Sequence, residues 1–216
     1  MNPSTTLVPP LATPDVRTVA PPVRAVPRTT AAVRSGSRVL AVRALVEALI
    51  APLGDRWRHT CAVARRAAVL AVGVPEPERD LVVAAAWCHD VGYAPTLRDT
   101  GMHAIDGARF LRALGLDERL CALVAFHSGA VYEADERGFA VELSSFTEEH
   151  SAVADALVAA DFTTGPQGQP LTVDERIAEI LVRYQPGDLV HRAVTRSQGP
   201  LRLQVRRALA RAGHPV

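Results

Sequence analysis

Apolar residues recur with a helical period along most of this chain, and Gly, Pro and short polar residues separate the periodic runs. Val39, Val42, Leu45, Val46 and Leu49 share one face of a helix predicted over 38–51, with Ser37 placed to cap it and Pro52, Leu53 and Gly54 to stop it. Asp55 is placed to cap a second helix through Val72, ended by Gly73. Pro75 and Pro77 sit at the start of a third, an Ala- and Val-rich run that reaches His89-Asp90, where Gly92 is expected to supply the end. A fourth runs from His103 to Leu114, closed by Gly115, and a fifth from an Asp117 cap to His127. Residues 128–146, with Gly129, Gly138, Ser144 and Ser145, read as irregular. Thr147, Glu149 and His150 mark the start of a helix ending at Asp161, and 172–184 and 188–212 are helical again. No alternating run is long enough for a strand and no internal repeat is present, so the pattern predicts an all-α protein.

Residues 1–36 break the pattern. They hold seven of the 16 prolines with Thr, Ala and Val between, and show no helical period, which predicts a disordered tail or a start upstream of the true initiator. The expected organisation is therefore a tail over 1–36 and a single all-helical domain over 37–216. Arg17, Arg24, Arg28 and Arg34 against Asp15 give the tail a charge of +3, and the remainder carries 20 Arg against 22 Asp and Glu. A basic tail can touch an acidic partner; a solvated tail with no role is the simpler reading.

Composition adds bounds. Hydrophobic and charged fractions of 48% and 22% are those of an ordinary globular chain. The net charge of +1 gives no reason to expect nucleic acid or a membrane surface as partner. All 24 basic residues are Arg, which fits a GC-rich genome and is not by itself a sign of phosphate recognition. Cys61, Cys88 and Cys121 form no CxxC and no even framework, and read as small buried thiols in a reducing compartment. With no 18-residue apolar stretch, and with Pro9, Pro10 and Pro14 breaking the one apolar run near the N-terminus, a cytoplasmic protein is expected.

Candidate chemistry begins at His89-Asp90, because an Asp at the end of an apolar helix is costly to bury unless it is paired or bound to a metal. Imidazole and carboxylate can ligate the same transition metal, and neighbouring residues reach one ion most readily from a helix end. A lone His on an apolar face is usually a satisfied core residue. Here His59, His89-Asp90, His103, His127 and Asp161 follow one another through helical segments, and an ordered set of six reverses that expectation.

With these residues in place, the chain resembles the HD-domain superfamily of metal-dependent phosphohydrolases over roughly 38–185, and within it small actinobacterial-type HD proteins. The phrases that carry the resemblance are His-Asp-Val-Gly-Tyr, His-Ser-Gly-Ala and Ala-Asp-Phe-Thr-Thr-Gly-Pro. It implies that His59, His89, Asp90 and Asp161 are the signature ligands, and that His103 and His127 are the extra pair of two-metal members. Two departures stand out. Tyr93 occupies the place where many two-metal members carry Lys, and Phe126-His127 stands where many have a doubled His.

The chemistry of such a set follows from the ions. One or two divalent transition-metal ions (Mn, Fe, Ni, Co or Zn) would activate water and clamp a phosphoryl oxygen. Asp90 is the best bridge, being anchored by His89, with His59 and Asp161 completing the first site and His103 and His127 holding the second. The expected function is hydrolysis of a small phosphate ester or nucleotide by a metal-bound hydroxide, with Asp90 at the catalytic centre. Arg98 and Arg109 are the first candidates to bind the substrate's phosphate, with Arg58 and Arg137 behind them, although surface charge is the commoner role of such residues. Ser128-Gly129 and Thr163-Thr164-Gly165 offer hydroxyls and amides near the ligands, or simply end their helices. Asp99 and Thr100 are candidates to line the pocket. Asp106 either orients His103 or is a surface carboxylate, and Asp155, His150, His191 and His214 read as surface or helix-start residues. A di-iron oxygenase of the same fold, and a non-catalytic metal-binding protein, are the alternatives.

Overall fold

Helical periodicity becomes ten α-helices among the described residues, 35–215 of a computed structural model of the chain. They are α1 (Ser35–Ile50), α2 (Asp55–Leu70), α3 (Arg79–Cys88), α4 (His103–Ala113), α5 (Glu118–Ala125), α6 (Ala130–Arg137), α7 (Ala140–Leu143), α8 (Ala152–Phe162), α9 (Val173–Arg183) and α10 (Leu189–Arg211). Among these residues no strand forms, and one isolated bridge joins Thr164 to Pro170. The tail expected over 1–36 falls outside the described residues except for Ser35 and Gly36, which belong to α1.

The centre of the fold is α8. Its sequence is apolar almost all round, as befits a helix surrounded by others, and every residue from Asp155 to Phe162 is buried. It packs against α2, α3 and α10. Asp155 is not the surface residue its sequence context suggested: it is 2% exposed and accepts from Arg207 at 2.6 and 2.8 Å and from Arg211 at 2.7 Å, tying α8 to α10. A buried carboxylate survives because two guanidiniums meet it.

Several boundaries differ from the sequence reading. Asp55 is the first residue of α2, not its cap, and its carboxylate pairs with Arg58. The stretch 128–146 is not irregular, since it holds α6 and α7; Gly129 and Gly138, which read as breaks, are the left-handed ends of α6. Ser151, rather than Thr147, caps α8 by accepting from the Ala154 amide. Asp117 caps α5 as its sequence predicts, and a Thr172–Glu175 capping box starts α9, within the helix expected over 172–184.

Gly92 has a different purpose from the helix-ending one expected. Its φ is not positive. A Cβ there would lie 2.0 Å from the His103 carbonyl oxygen and 2.6 Å from the Gly107 nitrogen. The missing side chain lets the 3-10 turn Val91–Tyr93, directly after His89-Asp90, press against the first turns of α4, and so brings His103 beside Asp90. Asp106, also buried, faces neither solvent nor the His103 ring. It accepts from the amides of Asp99, Thr100 and Gly101 and from the Thr100 hydroxyl, which fixes the loop entering α4.

Gly92→Ala is therefore expected to destabilise the protein by about 3 kcal/mol through backbone overlap. Gly115→Ala, where φ is +74° and nothing lies within 4 Å, should cost only ~1 kcal/mol for the left-handed backbone. Denaturant unfolding of the two variants measures the difference.

Candidate metal centre

Two of the six candidate ligands owe their orientation to where helices stop. The last carbonyls of a helix have no intrahelical donor. His89 follows the end of α3 and its Nδ1 donates to the Ala86 carbonyl at 2.7 Å; His127 follows α5 and its Nδ1 donates to the Val124 carbonyl at 2.6 Å. Both bonds span three residues, so the two imidazoles are held by the same local device. His103 is the first residue of α4. His59 lies one turn into α2, where no such carbonyl is open, and its Nδ1 donates across the fold to Gly165 O at 3.0 Å. Asp161 comes from the last turn of α8.

A carbonyl oxygen only accepts, so these three bonds place the hydrogen on Nδ1 and aim the Nε2 lone pairs of His59, His89 and His127 inward. There they meet other acceptors. His59 Nε2 lies 3.4 Å from His89 Nε2 and 3.0 Å from Asp161 Oδ1, and His127 Nε2 lies 3.2 Å from His103 Nε2. Asp90 stands between the two sets. Its Oδ2 is 3.3 Å from His89 Nε2 and 3.8 Å from His59 Nε2, and its Oδ1 is 3.6 Å from His103 Nε2. Ligand atoms of His59, His89 and Asp161 all lie within 4.8 Å of one another, as do those of Asp90, His103 and His127. Converging lone pairs and carboxylate oxygens repel unless a cation sits among them, so each of these groups could hold a metal ion.

Charge follows the same arrangement. Burial opposes ionisation of Asp90, but His89, Arg56 and His59 outweigh it and hold the carboxyl well below the usual range. For Asp161 burial is likewise outweighed by His59, which keeps it ionised. Burial would lower His89, but Asp90 raises it above its ordinary value. Burial and His127 push His103 down to about 3, and burial and His89 lower His127, so the second pair of imidazoles is neutral and ready to ligate.

Around the ligands, Arg56 donates to Asp90 Oδ2 at 2.7 Å and places its guanidinium 3.9 Å from the centre of the Tyr93 ring, which stacks on His103 at 4.2 Å. Tyr93, at the place where the resemblance puts a Lys in many two-metal members, thus braces a ligand and carries a cation beside it. Ser128, the one described non-Gly residue with positive φ (57°), donates its hydroxyl to Asp161 Oδ2. Thr163 and Thr164 donate to carbonyls of their own helix, so helix termination accounts for them.

A cavity of about 240 Å³ opens over Asp90, His103, His127 and Asp161, walled by α9 and α10 and lined by Arg56, Arg137, Arg176 and Arg183. Arg98 and Arg109 do not line it. Arg98 is exposed, and Arg109 is turned to Asp99 at 3.1 Å. Arg58 is likewise taken by Asp55 at the surface, so of the sequence candidates only Arg137 reaches the cavity. Asp99 and Thr100 serve Arg109 and Asp106 rather than the pocket. His150 is exposed, and His191 and His214, expected to be exposed, are half-buried; none joins the cluster. Cys88 and Cys121 are buried, while Cys61 is half-buried.

Sequence reasoning missed Arg56, Arg176 and the carbonyl of Gly165, whose amide it had placed near the ligands. Arg56 precedes His59 by three positions on one helix, a spacing that shares a face and was available as a signal. Arg176 sits beside Ile177 on the buried side of α9. The Gly165 carbonyl had no local signal.

Asp90→Ala is expected to lose both ions, and His127→Ala mainly the second, when metal content is counted by mass spectrometry. Loading the first group must displace the His89 proton, whereas the second pair is already neutral. One ion's affinity should therefore rise about tenfold per pH unit below the raised His89 pKa and then level off. Titrations between pH 5.5 and 8 that show both affinities flat would remove His89 from the first group.

A family model described as HD domain matches residues 56–181, more than half of the chain, and all six candidate ligands lie within that span. No curated protein and no solved structure matches. With the helical fold and the converged His and Asp side chains, that match settles the family: the chain belongs to the HD domain family.

Proposed function

We propose that the protein is a metal-dependent phosphohydrolase that cleaves a small phosphate ester or nucleotide. The observation that carries this reading is the position of Asp90: its two oxygens face two separate imidazole sets at the floor of an arginine-lined cavity. His59, His89 and Asp161 would hold one ion and His103 and His127 the other, with Asp90 shared. Divalent ions held there would lower the pKa of water towards 7 and stabilise charge on the phosphoryl oxygens. The donors fit transition metals, because four imidazoles against two carboxylates is a poor match to Mg or Ca.

The residues of the chain do the rest. Asp90 and Asp161 stay ionised and the second-group imidazoles stay neutral, so the site offers lone pairs rather than protons to its ions. Arg56 fixes Asp90, and the cavity arginines supply positive charge to an anionic substrate. Ser128 is the one Ser or Thr lining the cavity and is committed to Asp161, so no Ser or Thr hydroxyl there is set up as a nucleophile, and this reading takes water as the attacking group. The reading also places the protein in the cytoplasm, in keeping with its three free cysteines. The same imidazole-rich donors suit iron, which favours an oxygen-using di-iron enzyme as the second reading.

Phosphate release from a panel of esters and nucleotides should require Mn, Ni, Co, Fe or Zn and be indifferent to oxygen. It should fall by two to three orders of magnitude, roughly, in Asp90→Ala. No release with any metal, together with oxygen consumption by the iron form, would replace hydrolysis by oxygenation.

A further inference from the structure

Two buried side-chain polar atoms lack a hydrogen-bond partner among the described residues: Glu142 Oε2 and Arg176 Nε. Of the two residues, only Arg176 lines the cavity over the candidate ligands. It is 7% exposed, and its Nη1 donates to Glu179. Its Nε, itself buried, has no hydrogen-bond partner among the described residues, and the guanidinium's charge acts on Asp161. A buried donor without an acceptor is rare in folded proteins, because the desolvation it suffered on folding is not returned. Paired with a neighbouring Nη, a guanidinium Nε fits two oxygens of a phosphoryl group, which is an acceptor of the kind this donor lacks.

The other cavity arginines are held differently. Arg56 donates to Asp90, Arg137 is paired with Glu133 at 2.7 Å, and Arg183 bonds Glu179 through Nε and Nη2. Glu179 therefore clamps Arg176 and Arg183 together on α9, and only Arg176 is both buried and short of a partner.

The remaining lining decides what the phosphoryl group is attached to. Ile180, Val190 and Val194 are aliphatic. Of the cavity's aromatic rings, Tyr93 stacks on His103 beneath Arg56, Phe162 is buried, and half-buried Tyr184 has the Arg183 guanidinium 5.6 Å from its centre. A nucleobase needs an open aromatic face to stack on, and a short aliphatic body does not.

We propose that Arg176 is the residue that grips the substrate's phosphoryl group, and that the substrate is the phosphomonoester of a small aliphatic alcohol. The choice of ester rests on the hydrolytic reading above; the anion grip does not. In the reaction the oxygen of water bonds to phosphorus and the bond from phosphorus to the alcohol oxygen breaks. One water proton passes to the alcohol and the other remains with inorganic phosphate, with no change of oxidation state.

The test uses the full-length, Mn-loaded protein and titrates inorganic phosphate by calorimetry. Arg176→Gln should weaken phosphate binding by about tenfold or more with Mn content unchanged. Arg98→Gln, remote from the cavity, should leave it as in the wild type. Arg176→Lys keeps the charge but not the fork, and is expected to bind at least about threefold more weakly than wild type. If the Gln variant does not fold, the Lys variant decides. Wild-type affinity in either folded Arg176 variant, or no phosphate binding by the wild type, overturns the grip. A short alkyl phosphate should be hydrolysed with a kcat/KM at least tenfold above that of a nucleoside monophosphate; the reverse order overturns the aliphatic assignment. Arg176-dependent phosphate binding without hydrolysis of any ester would uphold the grip while removing the hydrolytic reading.

Discussion

Everything in this fold answers to one electrostatic constraint: two carboxylates and four imidazoles meet in the interior of a small helical protein. Left without a cation, the inward lone pairs of His59 and His89, 3.4 Å apart and facing Asp161 and Asp90, repel. Burial of such a group is tolerable only with opposite charge at its centre. The protein supplies part of that charge itself, through Arg56 on Asp90. The remainder is what two divalent ions would bring.

The way the helices end meets that constraint. Placing His89 and His127 directly after α3 and α5 gives each Nδ1 an otherwise orphaned carbonyl three residues back, which fixes both the ring and its tautomer without any further side chain. Placing His103 at the start of α4 would leave it adrift, but the abutting Gly92 and Gly107 seat that helix end against the turn after Asp90. Asp106 locks the loop before it. Asp155, by contrast, anchors α8 to α10 and so fixes the height at which Asp161 enters the site. Two buried carboxylates outside the cluster are thus frame rather than chemistry.

Much of this was legible in the chain. His and Asp embedded in Ala- and Val-rich helical runs are expensive unless grouped, and all six suspected residues converge. The helices that failed to show, α6 and α7, are short, and α6 is bounded by Gly129 and Gly138, which in sequence look like loop and in space are left-handed helix ends. Substrate residues were not legible for a different reason. Arg98 and Arg109 are near the ligands along the chain, but the cavity wall comes from α9 and α10, and proximity in sequence says nothing about which helices close over a site. Asp106, read as an orienter of His103 or a surface carboxylate, and Asp155, read as surface, take other roles because their partners, loop amides in one case and Arg207 and Arg211 in the other, are set by tertiary packing.

The central claim is that Asp90 bridges two ions, and anomalous diffraction from a crystal of the metal-loaded protein tests it most directly. Data at the absorption edge of the bound metal should show two peaks about 3.5–4 Å apart, one on each side of the Asp90 carboxylate. One should lie among His59, His89 and Asp161 and the other beside His103 and His127. A single peak, or two peaks of which either lies away from Asp90, would contradict the account.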